Sequence, residues 1–197
     1  GIVGEYIHEV SIVLKEDTLW AEQGHEISFG QYVYSITETN NPDFNNSLKN
    51  SDAKLLIEDC DINIGIKGDN FHHIFSRSYG SIVSMKYNNI EFLSSPILPN
   101  FWRAPTDNDR GNKMPFRYSQ WKIASLYQKC VDIHLSKVDI DGILYACINY
   151  TYELPTSPII TCNLKYLINS TGEMIVELNY DGCNSLSEIP VFGISFK

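Results

Sequence analysis

Residues 100–111 read N-F-W-R-A-P-T-D-N-D-R-G, and this stretch is the most informative part of the sequence. Its mixture of aromatic, basic, acidic and proline residues is too irregular for a strand or a helix. Pro105 fixes its own φ and favours extended geometry in the residue before it. Asp107 and Asn108 can bond nearby backbone amides in Asx turns, and Gly111 permits a positive φ. The sequence therefore predicts a rigid surface loop, called the signature segment below.

Short strand candidates occupy both sides of this loop. They span 54–58, 61–67, 70–77, 80–87, 90–94, 129–139, 143–154, 158–169, 172–181 and 189–196. Residues suited to tight turns separate many of them, as at Gly68-Asp69-Asn70, Asn88-Asn89, Asp141-Gly142 and Ser170-Thr171-Gly172. Helical periodicity is not sustained, and only residues 115–126 are predicted to hold a short helix or helical turn. This pattern predicts an all-β protein, an antiparallel β-sandwich.

The first 52 residues have a different organisation. Residues 6–15 and 25–37 alternate like two neighbouring strands of one sheet. Residues 38–52 are rich in Asn, Asp and Ser, which is the composition of a linker. We therefore predict a partial sandwich over 1–40, a linker over 41–52 and the main β domain over 53–197.

Composition argues against several classes of partner. The net charge of -9 disfavours nucleic acid, because a polyphosphate would be repelled. No apolar run approaches the roughly 18 residues of a membrane span, and the first residues do not resemble a signal peptide. The five cysteines form no Cys-x-x-Cys pair and are predicted to be reduced thiols. The expected location is the cytoplasm.

The signature segment resembles that of the small-chain domain of glycoside hydrolase family 2 β-galactosidases. That motif is an aromatic residue followed by Arg-Ala-Pro-x-Asp-Asn-Asp-x-Gly, which Arg103 to Gly111 fill here. Residues 20–27, W-A-E-Q-G-H-E-I, with Gln31 resemble the last strands of the family's immunoglobulin-like domain. Residues 189–193, I-P-V-F-G, resemble the family's Leu-Pro-Arg-Phe-Gly segment. The resemblance implies part of an immunoglobulin-like β-sandwich over 1–40 and part of a mutarotase-like supersandwich over 53–197.

The resemblance also implies a function for a longer parent protein. That enzyme would hydrolyse terminal non-reducing β-D-galactosyl residues, as in lactose, with retention of configuration. Its two catalytic Glu residues lie in a (β/α)8 barrel, and no segment here resembles a barrel strand that carries them. This chain alone is therefore predicted to be inactive, with no catalytic and no metal-binding residue. The predicted substrate-binding or site-bordering residues are Arg103, Asp107, Asn108, Asp109 and Gly111.

The implied partners are the remainder of the β-galactosidase chain and a galactoside substrate. Mg²⁺ and Na⁺ are the implied cofactors of the parent enzyme, and this chain is expected to hold neither. Residues 189–196 are apolar with few charges, so they are expected to form an open edge strand. We expect the isolated chain to self-associate through this edge.

Several residues have more than one role open to them. Asp107 and Asp109 can cap local amides, face a substrate or the barrel, or bind a cation. Arg103 can pair with either of them inside the segment, or it can donate to a sugar hydroxyl or a barrel carboxylate. Phe101, Trp102 and Trp121 can anchor the segment in the core or stack on a sugar ring. Residues 111–116 correspond to a family segment that approaches the barrel mouth.

The histidines favour structural roles. His25 precedes a strand, and His72 and His73 must point to opposite faces of theirs, so the two cannot share a metal ion without distortion. A mutarotase-like acid/base pair would need a histidine and a glutamate, for which His134 with Glu153 or Glu177 are available. No spacing selects them. The rival to the enzyme hypothesis is an independent carbohydrate-binding β-sandwich without chemistry.

Overall fold

The computed structural model of the chain describes residues 4–36 and 54–197. Residue contacts divide the chain into two compact units, Gly1–Ser47 and Leu48–Lys197. The predicted linker, residues 41–52, lies outside the described residues, and its bounds stay a prediction. No helix in the described ranges is long and apolar enough to cross a membrane.

The first unit contains an antiparallel hairpin of β1 (Gly4–Val13) and β2 (Glu26–Ile36). The rings of Tyr6 and Tyr34, directly opposite each other in the register, stack with their centroids 5.5 Å apart. Many of the hairpin's large apolar side chains are nevertheless exposed to solvent, among them Val10, Trp20 and Phe29. A two-stranded sheet without a buried face is marginal in water, so the described part of this unit has no core of its own.

Two antiparallel sheets make up most of the second unit. The first sheet has five strands in chain order: β3 (Leu56–Asp59), β4 (Asn63–Lys67), β5 (Phe71–Ser76), β6 (Ser81–Tyr87) and β7 (Ile90–Glu91). The second has four strands, again with sequential neighbours: β9 (Lys129–Ile140), β10 (Ile143–Leu154), β11 (Ile160–Ile168) and β12 (Met174–Asn179). In each sheet, neighbouring strands are joined by short connections, which antiparallel pairing allows.

The core lies between these two sheets. Phe75 of the first sheet meets Tyr166 of the second edge to face, at 5.1 Å between ring centroids. Tyr152 donates a hydrogen bond of 2.5 Å from its hydroxyl to the Gly80 carbonyl, which ties β10 to the turn before β6. Most buried hydrophobic residues of the two sheets form one continuous cluster. A smaller cluster of buried residues lies on the second sheet and contains Ile143, Tyr145, Cys147 and Leu167. The predicted antiparallel β-sandwich is confirmed.

The chain between the two sheets forms a separate layer of short elements. Strand β8 (Leu98–Asn100) pairs antiparallel with β13 (Gly193–Ser195). Three short helices follow β8: α1 (Asp107–Gly111), α2 (Met114–Arg117) and α3 (Ser119–Tyr127). These elements place the signature segment at the surface of the second unit.

The structure differs from the sequence predictions in several places, most of them in this layer. Strand β8 was not predicted, and the signature segment is not wholly irregular, because its last five residues form α1. Gly111 is not at positive φ, and the turn at residues 68–70 has no positive φ either. The predicted helix at 115–126 is two helices, α2 and α3. Part of the terminal segment expected to be an open edge is already paired, since β13 bonds to β8.

Candidate functional site

The signature segment leaves β8 and is anchored at once in the core. Phe101 is fully buried, and its ring contacts those of Trp121 and Phe192, at 5.6 and 6.0 Å between centroids. Its backbone N–H donates to Ser125 Oγ at 2.8 Å. The indole N–H of Trp121 donates to the Ser187 carbonyl at 3.1 Å. The rings of Phe101 and Trp121 therefore anchor the segment in the core, and neither is available to stack on a ligand.

Arg103 and Asp109 form the ion pair at the centre of the segment. Arg103 Nη1 donates to Asp109 Oδ2 at 2.5 Å, and Nη2 donates to Oδ1 at 2.9 Å. Such a bidentate fork is among the strongest polar contacts in proteins and fixes the orientation of both side chains. Asp109 is buried, while two fifths of the Arg103 side chain is exposed. Of the two candidate partners for the arginine, the structure pairs it with Asp109.

The same carboxylate caps the helix that follows. Asp109 Oδ2 accepts hydrogen bonds from the Thr106 backbone N–H at 2.8 Å and from its hydroxyl at 2.9 Å. The Thr106 hydroxyl oxygen in turn accepts from the Asp109 backbone N–H at 3.3 Å, which completes a capping box at the start of α1. The guanidinium of Arg103, followed by the Thr106 amide, holds the pKa of Asp109 well below its usual range.

This arrangement decides what Asp109 can do. A carboxylate with a depressed pKa stays ionised at neutral pH, so it has no proton to give as a general acid. Both of its oxygens already accept hydrogen bonds from Arg103 or Thr106. Its role in this geometry is to hold the segment in one shape.

Asp107 and Asn108 are placed differently. Both point to solvent from the first turn of α1, and the Asp107 side chain is almost completely exposed. Asp107 lies 3.4 Å from Arg110 Nη1, a weak surface contact. Neither side chain forms the predicted Asx turn in the described structure, because the capping box of Thr106 and Asp109 already serves the local amides. Two polar groups are thus displayed on a rigid turn and left available.

The segment does not fit a metal ion. No group of three or more His, Cys, Asp or Glu side chains in the described ranges is close enough to hold one. Of the two aspartates considered for a cation, Asp109 already accepts hydrogen bonds from Arg103 and Thr106, and the exposed Asp107 contacts only the Arg110 cation among the described residues. These residues lack the cluster of oxygen ligands that Mg²⁺ or Ca²⁺ requires.

Backbone strain falls just after the segment. Gly111 ends α1 with open space where a side chain would lie. The residue with positive φ is Lys113, at φ 63°, in the junction between α1 and α2. A left-handed lysine is uncommon, and it sets the direction in which α2 leaves the segment. Whether residues 111–116 approach a barrel stays a prediction.

An open groove of about 340 Å³ lies beside the segment. Asn100 and the half-buried Trp102 line it from the segment, Lys122 and Leu126 line it from α3, and Tyr79 lines it from the turn before β6. Of the three aromatics considered for stacking, Trp102 is thus the one that reaches the surface. Groove and segment form one continuous surface.

The histidines do not form a second site. His73 is buried and His72 is only partly buried, so the two lie on opposite faces as predicted. Within the described ranges, neither ring nitrogen of the buried His73 has a hydrogen-bond partner. His134 and Glu177 lie in one row of the second sheet but on its two outer strands. Lys165 pairs with Glu177, and Glu153 lies opposite Lys129, further along β10 than the Asn149 that faces His134. Neither glutamate therefore forms an acid/base pair with His134 in the described structure.

Two positioning residues were missed from the sequence. Thr106 has a readable signal, because a Thr followed three residues later by an acidic residue is typical of a helix N-terminus. Ser125 carries no such signal. Its hydroxyl oxygen accepts a hydrogen bond from the Phe101 backbone N–H, and its O–H donates to the Trp121 carbonyl at 2.8 Å. Its role depends on contacts distant in sequence.

The fold defines an antiparallel β-sandwich with an ion-paired signature segment at its surface. Residues 67–197 match the family model described as "Beta galactosidase small chain", and residues 2–35 match the one described as "Beta-galactosidase, domain 4". The chain belongs to the β-galactosidase small-chain family.

The sequences of known proteins are similar to this one along most or nearly all of the chain. The β-galactosidase of Clostridium acetobutylicum is 44% identical over 98% of this chain and 20% of its own length. That of Streptococcus thermophilus is 38% identical over 98% of this chain and 18% of its own length. The β-galactosidase small subunit of Latilactobacillus sakei is 32% identical over 76% of this chain and 52% of its length. The chain spans about a fifth of the two longer relatives.

Proposed function

We propose that this chain is a non-catalytic region of a β-galactosidase. The intact enzyme hydrolyses terminal non-reducing β-D-galactosyl residues with retention, and this region scaffolds and borders its active site. The observation that carries the proposal is the similarity to proteins named β-galactosidase over 98% of the chain. The remainder of the enzyme chain and a galactoside are then its partners. The cytoplasmic location and the Mg²⁺ and Na⁺ requirement of the intact enzyme stay predictions.

The chemistry of the two signature carboxylates supports a non-catalytic role. Retaining hydrolysis needs one carboxylate nucleophile and one carboxylic acid about 5–5.5 Å apart, and the acid needs a raised pKa. Asp109 has a lowered pKa and is locked by Arg103, while Asp107 stands in solvent. The (β/α)8 barrel of the intact enzyme would supply both catalytic groups.

The bordering role is assigned to five residues of the segment. Arg103 and Asp109 hold the turn, and Gly111 ends its helix without a side chain that would narrow the approach. Asp107 and Asn108 then present an acceptor and an amide that can bond substrate hydroxyls or barrel side chains. A rigid turn loses little entropy on binding, which makes such contacts effective.

Kinetics of the intact enzyme test this role. We expect Asp107→Ala and Asn108→Ala each to lower kcat/KM on a chromogenic β-galactoside by roughly tenfold, the size of one lost hydrogen bond to substrate or barrel. Asp132→Ala, an exposed aspartate on β9, is the matched control and should change neither kcat nor KM. Unchanged kinetics in both segment variants would contradict the bordering role.

The groove favours a second candidate function, the binding of sugars without chemistry. Trp102 offers an aromatic face, and Asn100 and Lys122 offer hydrogen-bond donors around it. Calorimetric titration of this chain with galactose and lactose tests it, with Trp102→Ala as the variant. Saturable binding that the variant loses would establish the second function, and no heat of binding would remove it.

A further inference from the structure

Helix α3 has two apolar faces, and only one of them is covered. Trp121 and Ala124 are fully buried on the inner face. Ile123, Leu126 and Tyr127 follow the i, i+3, i+4 spacing that places side chains together on the opposite face. They are 44%, 62% and 68% exposed. A cluster of large apolar side chains left exposed on one face of a short helix is typical of an interaction surface.

The outer face continues into neighbouring apolar surface. Leu126 lies beside Trp102 along the groove, which joins the face to the signature segment. Phe116, on α2 just before α3 in the chain, is 83% exposed. An aromatic that protrudes this far from a short helix finds no burial within the second unit. We call Phe116, Ile123, Leu126 and Tyr127, with the side of the groove that adjoins them, the α3 face.

The charge around this face is opposite to that of the chain. Residues 100–128 contain five Lys or Arg and two Asp, whereas the whole chain has a net charge of -9. Asp109 is neutralised by Arg103. In the described part of the chain, Lys113, Arg117 and Lys122 form no ion pair. Glu188, which accepts a hydrogen bond from the Tyr118 hydroxyl at the start of α3, is a single acidic group beside these cations. The charge flanking the α3 face is therefore mainly basic, and a complementary partner is apolar at its centre and acidic at its edge.

A second copy of this chain fits that description poorly. A symmetric dimer brings the same patch of each copy together, so these unpaired cations would face their own equivalents. The two longer relatives are about five times the length of this chain, so most of the surface of such an enzyme lies outside it. We infer that the α3 face docks on an apolar, acid-rimmed surface of the remaining β-galactosidase chain. This inference rests on the proposed function, because that function supplies the larger chain.

Hydroxyl-radical footprinting with mass spectrometry tests the docking directly. The oxidation rates of Leu126 and Tyr127 are measured in this chain and in the intact enzyme. Ile159 is the matched control, because it is 64% exposed and belongs to the turn between β10 and β11 instead of to α2 or α3. We expect Leu126 and Tyr127 to react at least about fivefold more slowly in the intact enzyme, as full interface burial requires, and Ile159 to keep its rate.

Equal rates for Leu126 and Tyr127 in both proteins would overturn the inference. Protection that already appears in this chain and grows with its concentration would assign the face to a second copy and would also overturn it. A paired substitution extends the test. In the intact enzyme we expect Leu126→Ser to lower the temperature of inactivation and Ile159→Ser to leave it unchanged. Footprinting needs no turnover, so an intact chain that protects Leu126 but cleaves no galactoside would refute the proposed function and leave the interface standing.

Discussion

Acidification from pH 7 to pH 5 is expected to destabilise the second unit through one imidazole, that of His73. The ring is fully buried on β5, between Phe71 and Tyr87, with ring centroids 4.9 and 5.0 Å away. Neither ring nitrogen has a hydrogen-bond partner among residues 4–36 and 54–197. Burial, reinforced by the neighbouring His72, lowers the pKa of His73 to about 4 from its ordinary 6.5, and nearby Glu91 offsets only part of this.

The change in the free energy of unfolding on acidification follows from proton linkage. Between pH 6.5 and pH 4 the unfolded chain binds a proton at this position and the folded chain does not, so stability falls as the pH falls. With these two pKa values, the loss between pH 7 and pH 5 is about 2 kcal/mol, and it approaches about 3 kcal/mol below pH 4. This is a large fraction of the stability of an ordinary domain.

Urea unfolding at pH 7 and pH 5, followed by tryptophan fluorescence, measures this loss. The variant is His73→Leu, which keeps the site apolar and removes the unpaired nitrogens, so it should cost little at pH 7. His134→Leu, at an exposed position on β9, is the control. We expect wild type and the control to lose about 2 kcal/mol more than His73→Leu on acidification. An equal loss in all three proteins would refute the reasoning.

Urea unfolding at pH 7 checks three further expectations. Arg103→Ala should lower the midpoint because it leaves a buried carboxylate unpaired, whereas Asp107→Ala should not; the reverse order would mean that the segment is held in another way. Gly111→Ala should raise the free energy of unfolding by about 0.5–1 kcal/mol, because this glycine is helical and has open space around it. A lower free energy of unfolding would indicate that Gly111 has a positive φ after all. Gly80→Ala should destabilise by on the order of 2–4 kcal/mol, because Gly80 has φ 72° and an added Cβ would lie 2.2 Å from that of Cys130; a neutral result would show that the turn moves freely.

The strands were predictable because their signal is local. Alternation with period two and turn residues at the ends mark β10 and β11 in the sequence, and the positive φ of Asn88, Asn89 and Asp141 follows from residue type. Strand β8 was not predictable in this way. Its Pro99 argues against a strand, and its pairing with β13 joins segments far apart in the chain.

The site was predictable in composition but not in detail. Residue types made Asp107 and Asp109 candidate partners of Arg103. The choice of Asp109 depends on the turn of α1, which brings Asp109 to the arginine and turns Asp107 outward. The capping Thr106 could have been read from its spacing to Asp109. The unpaired state of His73 could not, since sequence alternation gives the face of a residue and not its hydrogen-bond partners.

One assay tests the central claim, that this region belongs to a β-galactosidase and contains none of its catalytic groups. The 197-residue chain and the intact enzyme are compared on a chromogenic β-galactoside at equal molar concentration. We predict turnover by the intact enzyme and none above background by the chain alone. Turnover by the chain alone that a single Glu→Gln substitution within it abolishes would contradict the account.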